Sequence, residues 1–380
     1  MNTAFKLLTD IIKNVIFGSK TAPDKNAVIE NLNGIYELAA AQDLAHIVGY
    51  YIEKNGFPLD SEPAQTLVKY KYSAIFRDER QAYECARAEN VLQKENIRYI
   101  KLKGAVLKDY YPQTWLRTRC DIDILIDKEN LENATEKLCK QLNWTVTRRD
   151  VHDISMYSKS GVHTELHYHL MDKKNAEKSH EIFEQIWEHF STKSENGCEY
   201  KMTDDAFYLY HIVHMAKHIK NGGGGVRPFI DQLILENANL NDRRLLEQCG
   251  MTVFEKHISN LSKTWFSNSE NGGLDILEKY ILDSTMYGTQ EDKLAAWHAH
   301  QGGKLHVFLN RLFLSSEGLC VRYPSYKRHP YLMPLYQVRR WIDCLKSGDV
   351  KTHIDEASAI GSIPPEKSKL AKQLFDTLKI

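Results

Sequence analysis

Residues 101–127 read KLKGAVLKDYYPQTWLRTRCDIDILID, and the closing run, Asp121-Ile122-Asp123-Ile124-Leu125-Ile126-Asp127, has the alternation of a β-strand. Side chains two apart on a strand share a face. Asp121 and Asp123 therefore project together, and Ile122, Ile124 and Ile126 project to the other side. Two carboxylates on one face repel each other unless a cation sits between them. On its own an Asp-x-Asp pair is most often a solvated strand edge or a turn. A second acidic strand, Thr164-Glu165-Leu166-His167, offers Glu165 as a third ligand. Three hard oxygen ligands suit Mg²⁺, which takes its remaining ligands from water and substrate phosphates. The pattern points toward nucleotide chemistry.

The residues upstream strengthen this reading. Ile97 to Leu102 alternates like a strand and ends in Lys103-Gly104-Ala105. Val106 to Tyr111 then reads as a short helical segment, closed by Pro112. Glycine lets a backbone approach a phosphate closely, and the free N–H groups of a helix start face the anion. Lys103 adds a mobile charge, and Arg117 a planar fork that matches phosphate oxygens. Taken singly, Gly104 is a turn glycine and Lys103 a solvated lysine. The weight lies in the order: strand, Lys-Gly, helix, Arg, then a strand with Asp-x-Asp.

The stretch 101–127 resembles the core motif of the uncharacterised nucleotidyltransferase-like proteins of the DNA polymerase β superfamily. Those proteins carry a Lys-Gly after the first strand, a Tyr-Pro, an arginine four residues before the first aspartate, and Asp-Ile-Asp. The likeness extends to Glu165-Leu166-His167 and, more faintly, to His214, Lys217-His218, Asp231, Tyr323-Pro324 and Met333-Pro334. It implies an α+β fold: a small mixed-sheet polymerase β-like palm embedded between N-terminal and C-terminal helical regions. It also implies a metal-dependent transfer of a nucleoside monophosphate from an NTP to an acceptor hydroxyl, with release of pyrophosphate. Mg²⁺ (or Mn²⁺) would sit on Asp121, Asp123 and Glu165, where two ions can serve the attacking and leaving oxygens. Lys103, Gly104, Ala105, Arg117 and His167 would hold the nucleotide, with His214 and His218 facing it. One departure stands out. The superfamily's phosphate loop is usually Gly-Gly or Gly-Ser, and here it is Gly104-Ala105. Backbone N–H groups, Lys103 or Arg117 must replace the missing hydroxyl. A non-catalytic nucleotide- or partner-binding protein with a palm-like fold is the alternative.

Composition sets limits on partners and location. The 380 residues carry 50 Lys+Arg and 50 Asp+Glu, a balance that disfavours a long nucleic acid as partner. The expected partners are an NTP and an acceptor: a small molecule, a peptide or protein, or an RNA end. No apolar run is long enough to cross a bilayer, and the N-terminus lacks a signal-peptide core. The seven cysteines are scattered and form no C-x-x-C, which reads as reduced thiols in the cytoplasm.

Three regions follow from the patterning: a helical region over 1–96, the palm over 97–172 and a mainly helical region over 173–380. Helical spacing recurs in the first residues, over Tyr36–Lys54 and over Ala64–Lys94. Strands are expected at Trp144–Arg148, Ile154–Tyr157 and Val162–Tyr168, and a helix over Asn130–Leu142. Further helices are expected at Ser179–Phe190, Asp204–Lys220, Arg227–Asn239, Arg243–Cys249, Thr252–Phe266, Leu274–Leu282, Glu291–Phe313, Leu335–Leu345 and Pro365–Leu378, with Tyr323–Pro334 extended. His211, His214 and His218 share one face of the Asp204–Lys220 helix. They read as a transition-metal site, as substrate contacts across the cleft, or as packed core residues with Asp231 orienting one of them. Gly222–Gly225 follows a helix and lacks the Gly-Lys-Ser/Thr of a P-loop, so it reads as a flexible connector.

Overall fold

The computed structural model describes residues 3–150, 152–171, 177–195, 197–267, 275–286, 288–301, 313–314, 316–347 and 365–380. The chain begins with five helices: α1 (Thr3–Phe17), α2 (Lys25–Glu30), α3 (Leu32–Ala41), α4 (Ala45–Lys54) and α5 (Glu62–Lys94). Ser61 caps α5 by accepting from the Ala64 N–H, with Pro63 in the first turn, the favoured chemistry for a helix start. The stretch expected as one helix over Tyr36–Lys54 is two. The break lies at Gln42 and Asp43, where Asp43 takes a positive φ of 54°. Tertiary bonds hold it open. The Gln42 amide donates to the Ser284 carbonyl and accepts from the Val226 N–H. The Asp43 carboxylate receives Thr118 Oγ1 and Arg227 Nη1.

Next come β1 (Tyr99–Lys101), α6 (Gly104–Leu107), a 3₁₀ turn at Lys108–Tyr110, β2 (Asp121–Ile126), α7 (Leu131–Leu142), β3 (Thr145–Arg149), β4 (Asp153–Tyr157) and β5 (His163–His167). The helix expected over Ser179–Phe190 is broken at Gln185 into α8 (Glu177–Glu184) and α9 (Ile186–His189). Two further strands, β6 (Ser191–Lys193) and β7 (Glu199–Met202), lie in the region read as mainly helical. They are very short and pair antiparallel, too short for an alternating pattern to show. One mixed sheet results, in the order β3-β4-β5-β2-β1-β7-β6. β2 runs antiparallel to β1 and parallel to β5.

The chain continues through α10 (Asp204–Lys220), α11 (Arg227–Asn237), α12 (Arg244–Cys249), α13 (Thr252–Phe266), α14 (Asp275–Leu282) and α15 (Gln290–Gln301). Residues 302–312 of the helix expected over Glu291–Phe313 lie outside the described residues. Tyr323–Pro334 is not extended: Pro324–Arg328 and Pro330–Leu332 are 3₁₀ turns, each with proline at its start, followed by a helix at Met333–Ser347. Pro365–Leu378 is helical. No described helix is long and apolar enough to cross a membrane.

The two sheet faces meet different cores. Ile122, Ile124, Ile126 and Leu166 pack with α7 and the C-terminal half of α5 around Leu92, Ala134 and Leu138. Leu125 and Leu102 point the other way, into a larger core shared by the N-terminal helices and α10–α13. Asp121 and Asp123 share the Leu125 face by strand parity. They therefore look toward the helices that follow the sheet in sequence.

Candidate active site

The strand register assembles the acidic set. β2 and β5 pair in parallel with Asp121 opposite His163, Asp123 opposite Glu165 and Leu125 opposite His167. Two carboxylates on β2 thus stand beside an imidazole, a carboxylate and a second imidazole on β5. Asp123 is buried and engaged through one oxygen. Lys103 Nζ lies 3.1 Å from its Oδ1, and His167 Nε2 donates to the same oxygen at 2.7 Å. His167 Nε2 is also 3.4 Å from Glu165 Oε2, while Arg148 of β3 reaches within 3.7 Å of Glu165 Oε1. Asp121 is different: among the described residues its carboxylate has no hydrogen bond or ion pair, and only the more distant charges of Lys103 and His163 favour its ionised form.

These contacts set the ionisation. Burial, reinforced by the charge on Asp123, pushes the Asp121 carboxyl up to about 6. At Asp123 burial also opposes ionisation, but Lys103 and the His167 hydrogen bond outweigh it and hold the carboxyl well below the usual range. The His167 hydrogen bond lowers Glu165. His167 itself is raised: burial disfavours its charge, and the bonds to Asp123 and Glu165 overcome that cost. Each direction follows from desolvation set against a specific partner.

Lys103 reaches Asp123 because the chain turns sharply after β1. Lys103 has φ 46° and ψ −122°, and its carbonyl accepts the N–H groups of Val106 and Leu107 to start α6. Leu102 N–H donates to the Asp123 carbonyl, which ties the end of β1 to β2. Gly104 follows, and a Cβ there would meet Arg117 Nη1 at 3.1 Å and Arg119 Cβ at 3.3 Å. A side chain there would be tight against both arginines, and glycine lets the two segments pack closely. Ala105 is buried in α6 and does not line the cavity described below.

Arg117 does not present a free fork. Its Nε and Nη2 hold both oxygens of Asp231 at 3.0 and 2.8 Å, and Nη1 donates to the Thr118 carbonyl at 2.8 Å. Tyr111 Oη adds a third bond to Asp231 at 2.7 Å. The guanidinium geometry that suits a phosphate suits a carboxylate equally, and here it clamps α11 to the strand that carries Asp121. Asp231 therefore serves Arg117 and Tyr111, and is not hydrogen-bonded to a histidine.

A cavity of about 370 Å³ brings the set together: Lys103, Gly104, Arg117, Asp121, Asp123, Glu165 and His167 on the sheet side, and His211, His214, Lys217, His218, Arg227 and Asp231 opposite. His214 and His218 place their Nε2 atoms 3.3 Å apart. Among the described residues no third ligand joins that pair; groups of three ligand atoms converge only on β2 and β5. Burial pushes His211 down to about 4. Burial, with Lys103 and His218 adding to it, holds His214 well below the usual imidazole value. Neutral imidazoles facing a carboxylate cluster act as hydrogen-bonding groups without adding positive charge.

Gly222–Gly225 is not a loose connector: all four residues are buried. Gly222 has φ 81°, and a Cβ on it would sit 2.5 Å from the Asp292 backbone. A left-handed turn wedged against a neighbouring segment explains the glycine without a phosphate.

Sequence reasoning passed over His163, Arg119, Arg148 and Asp153. His163 had a readable signal: it stands two residues before Glu165, on the same strand face. Arg119 was hidden by its partners, since Gln81 of α5 binds both its Nε and its carbonyl.

The donors fit a divalent cation. Asp121, His163 and Glu165 form one group, and Asp123, Glu165 and His167 a second, each with ligand atoms within 4.8 Å of one another. Such oxygen-rich sets with a supporting imidazole suit hard or borderline divalent ions. A mixed α+β domain that carries this set is consistent with a nucleotidyltransferase domain. Residues 30–266, more than half of the chain, match the model of the family described as an uncharacterised nucleotidyltransferase, and the chain belongs to that family. The description is consistent with the polymerase β superfamily. No curated protein and no solved structure matches the chain.

Proposed function

We propose that the protein is a divalent-metal-dependent nucleotidyltransferase that moves a nucleoside monophosphate from an NTP to an acceptor hydroxyl. One observation carries the reading. Asp121, whose carboxylate has no hydrogen bond or ion pair among the described residues, is held beside Asp123 and Glu165 at the wall of a cavity that Lys217 and neutral imidazoles line from the opposite side. Three clustered carboxylates with one left unneutralised call for a cation.

Asp121, Asp123 and Glu165 would hold the metal, which when bound neutralises charge on the triphosphate and on the departing pyrophosphate. Lys103 lies close enough to serve the phosphates once it leaves Asp123. Lys217, His214 and His218 face the set from α10 and would orient the triphosphate. His167 positions Asp123 and Glu165 through its Nε2. The acceptor oxygen attacks the α-phosphorus, and the bond from that phosphorus to its bridging oxygen breaks. The hydroxyl proton passes to Glu165 or to solvent, and pyrophosphate leaves. Gly104 contributes through close packing, and Arg117 through the Asp231 clamp.

Incubation with labelled NTPs, Mg²⁺ or Mn²⁺ and a panel of acceptors tests the reading by release of pyrophosphate. Asp121→Ala and Asp123→Ala should abolish both release and Mg-NTP binding. Unchanged Mg-NTP binding in those variants would show the assignment to be wrong.

A second reading is a nucleotide-binding protein without turnover. It is favoured by the loss of two expected phosphate contacts: Ala105 has no hydroxyl and lies outside the cavity, and Arg117 is engaged by Asp231. Calorimetry separates the two readings, since a binder shows nucleotide affinity and releases no pyrophosphate with any acceptor.

A further inference from the structure

The metal set contains two imidazoles as well as three carboxylates. His163 Nε2 lies 3.8 Å from Glu165 Oε1, and His167 Nε2 lies 3.4 Å from Glu165 Oε2. His163 stands opposite Asp121 in the strand register, and Leu125, not an acid, stands opposite His167. The two groups of three therefore share Glu165 and differ in the rest: Asp121 with His163, and Asp123 with His167. Each holds two carboxylates and one imidazole.

Packing fixes the His163 ring. Tyr157 of β4 pairs with His163 across the strands, and the rings stack with centroids 4.7 Å apart and planes 21° from parallel. Stacking holds the plane of the ring, and Nε2 lies on the side of Glu165. His167 is held by the bond from its Nε2 to Asp123. Both imidazoles are thus placed with a nitrogen toward the carboxylates.

We propose, on the basis of the metal-dependent reading above, that His163 is a metal ligand beside Asp121 and Glu165, that His167 positions the carboxylates, and that the His163 nitrogen turns the site toward Mn²⁺ and away from Mg²⁺. Mg²⁺ favours an all-oxygen octahedral shell rich in water, and gains little from imidazole. Mn²⁺ shares the carboxylate preference of Mg²⁺ but begins the transition-metal affinity series, so a nitrogen ligand adds to its binding where it adds little to that of Mg²⁺. A shell of two carboxylates and one imidazole therefore discriminates among hard ions through its nitrogen.

Mn²⁺ outcompetes Mg²⁺ at many sites, so the preference alone decides nothing. The informative quantity is how the preference depends on His163. Full-length protein without a histidine tag is titrated with Mn²⁺ alone and followed by electron paramagnetic resonance. Mg²⁺ affinity is measured by competition, and electron spin-echo modulation reports nitrogen coupled to the ion. Wild-type protein is expected to show ¹⁴N modulation from coordinated imidazole. His163→Gln should weaken Mn²⁺ about tenfold or more, the range seen when a supporting metal contact is lost, while changing Mg²⁺ affinity far less. His167→Gln serves as the second variant, and circular dichroism confirms that both fold. Mn²⁺ bound without ¹⁴N modulation overturns the imidazole assignment and leaves the carboxylate site standing. An equal loss of Mn²⁺ and Mg²⁺ in His163→Gln overturns the selectivity. If neither ion binds the wild-type protein, the metal-dependent reading falls with it.

Discussion

Replacing Asp121 with Asn should stabilise the metal-free protein while removing its metal site. The magnitude follows from the site. The native carboxyl titrates near 6 against an ordinary aspartate value of 3.8. One pKa unit corresponds to about 1.4 kcal/mol, so the ionised native state costs at most about 3 kcal/mol at pH 8. The sign is set by proton counts. Between pH 4 and 6 the native protein holds a proton on Asp121 that the unfolded chain has lost, so stability from this group falls as pH rises through that window. Above pH 6 the full cost is present, and below pH 4 it vanishes. Asn carries no charge, and among the described residues the Asp121 carboxylate has no hydrogen bond to lose. Chemical denaturation in EDTA should therefore show Asp121→Asn more stable than wild type by up to about 3 kcal/mol at pH 8, and by roughly half that at pH 5. Mn²⁺ should stabilise the wild type and leave the variant unmoved. A variant no more stable than wild type at pH 8, or a difference that does not shrink at pH 5, would refute the claim that Asp121 is an unneutralised, half-buried charge.

Metal affinity should fall below about pH 6, because a proton then competes at Asp121; calorimetric titration at pH 5.5 and 7.5 measures it, and a flat profile argues against Asp121 as ligand. Asp231→Asn should cost about 3–5 kcal/mol, since it leaves the Arg117 guanidinium buried without its counter-charge, and a denaturation midpoint close to wild type would count against the clamp. Gly222→Ala should destabilise by about 1–3 kcal/mol, because its Cβ meets the Asp292 backbone and no rotamer can relieve that clash; a thermal midpoint equal to wild type would show that the loop is slack.

The local layer of this protein is legible along the chain. Alternation over Asp121–Ile126 tells that Asp121 and Asp123 share a face and that three isoleucines line the other, because strand parity depends only on neighbours. Ser61 and Pro63 mark the start of α5 for the same reason. What could not be read is whatever depends on a distant partner. Arg117 has the chemistry for a phosphate or a carboxylate, and only the fold brings Asp231, 114 residues on, into its fork. Gln42 and Asp43 sit in a helical pattern, yet bonds to Ser284, Val226, Thr118 and Arg227 outweigh the helix. Glu165 could be recognised as acidic and strand-borne, but its place opposite Asp123 depends on a parallel register between strands about forty residues apart. That register also carries His163 to Asp121 and His167 beside Asp123. The sequence by itself determined which groups each strand would offer and on which face. The tertiary structure decided which of them meet, because pairing, register and the covering helices are set by long-range burial that no local pattern encodes.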